Sequence, residues 1–161
     1  MNFFDAYKLF KPIARSYGVK TKIIYFKKKN YFPANVGGGA YIDHESGGAQ
    51  EIRFFFIKPL IKTAFEGSLR SWMTFFFHEL GHILCYRHKK YFSYHSGTFS
   101  DYSINFQKTY IKKYGFKAEL KADELGSAAC KKYFPSVKYK SFYQKNKKRG
   151  QKFILKYWGV E

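Results

Sequence analysis

Acidic side chains are scarce in this chain of 161 residues: 11 Asp and Glu stand against 30 Lys and Arg, a formal net charge of +19. So positive a field disfavours basic partners and favours nucleic acid, anionic surfaces or acidic proteins. Arginine is scarce too, with Arg15, Arg53, Arg70, Arg87 and Arg149 against a majority of lysines. Bidentate reading of base edges prefers arginine, so loose phosphate attraction is expected before sequence-specific DNA recognition. The two cysteines, Cys85 and Cys130, make neither a disulfide framework nor a cysteine-rich zinc module. They read as buried thiols in a reducing compartment. No run of about 18 apolar residues occurs, which excludes a helical membrane span. Met1-Asn2-Phe3-Phe4-Asp5 puts an acid early, with no basic region before an apolar run. It does not read as a signal peptide, and the expected location is the cytoplasm.

What the chain has in excess is aromatic side chain, 22% of its residues. Phe, Tyr, Lys, Ile and Asn are abundant and share A/T-rich codons. A low-GC genome is expected, that of a phage or a bacterium. A phage-encoded chain would act in the host cytoplasm or the virion. The length and the 45% hydrophobic content suit one domain over residues 1–161, with a basic C-terminal helical segment at about 137–161.

Helical spacing runs over residues 3–17, with Gly18 as a stop and Pro12 predicting a kink or break near Lys11. Residues 19–26, 40–43 and 50–57 read as strands, and the glycines at 37–39 as a turn into the second. Ser68 is the expected N-cap of a helix reaching about His88. Ser100 or Asp101 is the expected cap of a helix ended by Gly115, and another helix spans about 117–133 before Pro135. The fold class is therefore α+β: a small antiparallel or mixed sheet packed on one central helix, with a helical C-terminal half.

That central helix carries His78-Glu79-Leu80-Gly81-His82. On a helix, His78 and His82 lie one turn apart on one face, so both imidazoles can reach one ion. Zinc takes such neutral nitrogen ligands, and Glu79 follows the first of them, placed to accept a proton from bound water. A catalytic zinc needs a third protein ligand. Glu119 is the preferred candidate, because Asp123 shares its helix face and can orient a ligand histidine through that ring's other nitrogen. His88 completes a His-Glu-x-x-His-x-x-x-x-x-His spacing. However, Cys85 stands where metzincins carry a turning glycine, and no methionine follows Met73. His95 is a third candidate. The oxyanion-stabilising group is open among Tyr86, Tyr91, Tyr94, His95 and Tyr102.

Phe75-Phe76-Phe77-His78-Glu79-Leu80-Gly81-His82-Ile83-Leu84, then Glu119-Leu120-Lys121-Ala122-Asp123 and Phe134-Pro135, resembles the ImmA/IrrE-type metallopeptidases. The resemblance covers about residues 50–135. It implies a zincin-like, gluzincin-type domain, a Zn²⁺ cofactor and a protein or peptide substrate, often a regulatory protein such as a phage repressor. The leading expectation is a zinc endopeptidase with His78, His82 and Glu119 on the metal, Glu79 as general base and Asp123 behind the ligands. The rival is a non-enzymatic, basic phage-type structural or nucleic-acid-associated protein that keeps the zincin fold. A third reading joins them: a peptidase held near nucleic acid by weak electrostatic association.

Overall fold

The computed structural model describes residues 1–26, 38–43, 49–57, 68–88, 103–139 and 147–157. Their elements are α1 (Phe3–Ser16), β1 (Lys20–Phe26), β2 (Gly38–Asp43), β3 (Ala49–Ile57) and α2 (Leu69–Arg87). After them come α3 (Ile104–Tyr110), a π-helical turn (Ile111–Gly115), α4 (Phe116–Tyr133) and α5 (Lys147–Tyr157). The class is α+β, with a three-stranded mixed sheet and mostly helical content. Contacts group the chain into two compact units, Met1–Leu80 and Gly81–Glu161, divided within α2. Among the described residues no helix is long and apolar enough to cross a membrane.

In the first unit, α1 opens on Asn2, whose side chain accepts the Asp5 backbone N–H at 2.9 Å. Gly18 closes it with φ 66°, a left-handed value that only glycine takes without strain. Pro12 does not break α1. It lies on the exposed side beside exposed Lys8, whose carbonyl loses its donor where water can replace it. The buried face, Phe3, Ala6, Phe10, Ile13 and Ala14, keeps helical spacing.

The sheet order is β1-β3-β2. β3 pairs in parallel with β1, from Lys20 opposite Glu51 to Phe26 opposite Ile57. It pairs antiparallel with β2, from Gly38 opposite Phe54 to Asp43 opposite Ala49. β2 starts earlier than its side-chain pattern suggests, because Gly38 and Gly39 are already strand. A Cβ at Gly38 would lie 1.9 Å from the Arg53 carbonyl oxygen and 2.5 Å from the Phe75 ring. Glycine serves there for close approach.

Aromatic side chains build this unit's core. Phe10 stacks on Phe76 at 4.5 Å between centroids, and Phe3 meets Phe54 and Trp72 edge-on at 6.2 and 5.9 Å. Such pairs contribute about 0.5–1.5 kcal/mol each beyond their buried area. They fix α2 through Trp72, Phe76 and Phe77, all fully buried. Ser68 caps α2 as expected, its Oγ accepting the Ser71 N–H at 3.3 Å.

In the second unit, α3, the π turn and α4 follow one another without interruption. The expected stop at Gly115 does not occur. Gly115 is buried and takes φ −54°, ψ −46°, so it continues the helix instead of turning out of it. The expected caps Ser100 and Asp101 lie outside the described residues. Ser103 fills the role, its Oγ accepting the Phe106 N–H at 3.4 Å. α4 ends at Tyr133, ahead of Pro135, as its sequence predicts. Ile154 of α5 packs on Ile111 of the π turn, with Tyr110, Phe116 and Leu155 around them.

Candidate metal centre

α2 carries His78 and His82 one turn apart, and α4 carries Glu119 and Asp123 one turn apart. Within the second unit, α4 reaches His82 through a close approach at Gly81. A Cβ on Gly81 would lie 2.0 Å from the Ala122 carbonyl oxygen and 2.7 Å from its carbon. The glycine of the His-Glu-x-x-His motif therefore lets the Ala122 backbone lie directly against α2. Ala122 lies between Glu119 and Asp123 in sequence.

Both carboxylates on α4 are buried, Glu119 at 7% exposure and Asp123 at 1%. Burying a charge is costly unless it is paired or hydrogen-bonded. Each has such a partner. His82 Nε2 lies 3.3 Å from Glu119 Oε2, and Tyr139 Oη donates to Asp123 Oδ1 at 3.2 Å.

One ligand atom from each of His78, His82 and Glu119 lies within 4.8 Å of the other two. The donor set, two imidazole nitrogens and a carboxylate oxygen, is one zinc accepts. Bonds of about 2.0–2.1 Å at tetrahedral angles put neighbouring ligand atoms about 3.3 Å apart. The 3.3 Å between His82 Nε2 and Glu119 Oε2 matches that edge, a separation that serves a hydrogen bond and a shared ion alike. This cluster could hold a metal ion. Among the described residues no fourth His, Cys, Asp or Glu joins it.

Glu79 has a different neighbour. Its Oε2 accepts the backbone N–H of Ala40 at 2.8 Å. β2 is at the edge of the described sheet, and its Ala40 N–H donates to this carboxylate. Edge-strand backbone and the carboxylate of the motif thus stand together in the first unit.

His88 is exposed, and its backbone N–H bonds to Leu84 O at 3.1 Å at the end of α2. It is not in the cluster. His95, Tyr91, Tyr94 and Tyr102 lie outside the described residues, and Tyr86 is half-buried on α2. Asp123 occupies the predicted face, and its hydrogen bond from Tyr139 was not anticipated. Tyr139 follows Asp123 by 16 residues, and no helical or strand period links the two. Ala40 was missed because it contributes backbone, which leaves no side-chain signature. Burial pushes the Cys85 thiol up to about 11, Lys121 opposing and Glu119 and Glu124 adding to the rise. Burial likewise raises Cys130.

No protein-family model matches the chain, and no curated protein or solved structure matches it.

Proposed function

We propose that the chain is a zinc-dependent endopeptidase of the kind its motif resembles. The convergence of His78, His82 and Glu119 within 4.8 Å, with Glu79 next to the first of them, carries this reading. His78, His82 and Glu119 would hold the ion, and Asp123 with Tyr139 would steady the α4 side of the site. Bound zinc would acidify a coordinated water and polarise a carbonyl. Three protein ligands among the described residues favour a catalytic over a closed structural site, because structural zinc takes four.

Glu79 takes a proton from the attacking water and returns it to the leaving amine. Its hydrogen bond from Ala40 fixes the carboxylate in position before substrate arrives. That bond also supports a peptide as substrate. The outer edge of β2 is where an extended chain would add as a further strand, with its backbone passing Glu79. The free thiols Cys85 and Cys130 suit a reducing compartment, and the cytoplasm is part of the same proposal.

The test is Glu79→Gln. It should retain zinc and lose cleavage of a peptide library by about 10²–10⁴-fold, the range for a lost general base. Zinc retention with unchanged cleavage would remove Glu79 from the mechanism.

A further inference from the structure

A second feature of the chain lies away from the metal ligands, on α3 and the π turn. Phe106, Tyr110 and Tyr114 follow one another at four-residue spacing and form a ring ladder. Phe106 stacks on Tyr110 at 5.7 Å and 27°, and Tyr110 meets Tyr114 at 4.6 Å. Phe106 is 43% exposed, and Ile104 beside it is 70% exposed. Lys113 Nζ stands 5.0 Å from the Tyr114 ring centre and Lys117 Nζ 5.9 Å. Lys108 and Lys112 are exposed on the same segment, and residues 104–118 contain no acid.

α5 adds to this surface. It is anchored by Ile154 on Ile111 and turns Lys148, Arg149, Lys152 and Lys156 to solvent. It too contains no acid. α3, the π turn and α5 therefore carry exposed cations and no acid, and two lysines stand against the last ring of the ladder.

We propose that this surface binds single-stranded nucleic acid. Lysines act as point charges for phosphate, and aromatic faces accept unpaired bases whatever their sequence. A duplex offers phosphate but no unpaired base faces. Scarce arginine fits a backbone-and-stacking mode that reads no base edges. A membrane-surface helix would present a continuous apolar face. Here two of the three ladder rings are tyrosines, and ammonium groups sit over one of them.

The experiment uses the full chain and fluorescein-labelled oligo-dT and oligo-U of about 20 nucleotides. Anisotropy is read from about 50 to 200 mM salt. A duplex of equal length and phosphatidylserine vesicles run in parallel. Binding of either single strand, tighter than the duplex and falling steeply with salt, is expected. Phe106→Ala should weaken it about fivefold or more, and Phe106→Trp should retain it. Lys112→Gln with Lys113→Gln should lower the slope of log affinity against log salt by about 0.7 per lost phosphate contact. Circular dichroism verifies that each variant is folded. Equal affinity for duplex and single strand, with no effect of Phe106→Ala, would overturn the proposal and leave a general lysine coat. Loss of vesicle binding alone in Phe106→Ala would overturn it in favour of a lipid surface.

Discussion

Glu119 and Asp123 illustrate how a single residue's burial carries information. Acids are rare here, 11 of 161 residues, and these two are nearly inaccessible. A carboxylate survives at such depth only with partners, and His82 and Tyr139 supply them. Tyr139→Phe removes a hydrogen bond to a charged acceptor. It should cost about 1.5–3 kcal/mol of stability, read by urea unfolding, and an unchanged midpoint would show that the bond contributes nothing. The cysteines behave in the opposite way. A thiol held near 11 by burial stays protonated at pH 8. Cys85 and Cys130 should therefore react with Ellman's reagent only on unfolding. Rapid reaction of the native chain would contradict their burial. A raised thiol pKa also adds stability that is present below the unfolded value of 9 and fades as pH approaches about 11.

At the level of elements, Gly81 decides whether α4 can lie against α2. Alanine is the better helix former, by about 0.5–1 kcal/mol. Against that gain stands a contact of 2.0 Å with backbone, which no rotamer change relieves. Overpacking of that sort costs about 1–3 kcal/mol, so the clash should win. Gly81→Ala should lower the melting temperature by about 2–4 °C for each kcal/mol lost and, on the proposed function, weaken zinc binding. A variant as stable as wild type with full metal affinity would refute the close approach. The same elements mark what the sequence alone discloses. Both zinc-motif histidines and the Glu119/Asp123 face could be read from spacing, because i and i+4 determine a helix face without knowledge of the partner. Helix ends at Ser68 and Tyr133 were legible from a cap and a proline. Gly115 was misread, since a buried glycine in right-handed conformation has the same letter as a terminating one. Gly38 was read as turn, whereas it is strand and its role is to admit Arg53 and Phe75. Contacts such as Tyr139 to Asp123 and Ala40 to Glu79 depend on tertiary placement, which no local period encodes.

For the whole molecule, a charge of +19 opposes compactness through self-repulsion. Raising ionic strength from about 0.01 to about 0.1 M shortens the screening length from about 30 to about 10 Å. The melting temperature should rise over that range, and a constant or falling value would mean that local ion pairs compensate the excess. The exposed Lys121–Glu124 pair at 2.7 Å is a poor candidate for such compensation, as exposed pairs contribute about 0–1 kcal/mol. The excess charge has a use if nucleic acid is a partner, and the His78, His82 and Glu119 cluster has a use if a peptide is cleaved. The two proposals rest on different residues and stand or fall separately. The proposed metal centre is the more central. Its most direct test is the zinc content of the purified chain by elemental analysis, beside that of Glu119→Ala. The account predicts one zinc per wild-type chain and loss of that zinc in the variant. A wild-type chain that takes up no zinc, or a variant that retains it fully, would contradict it.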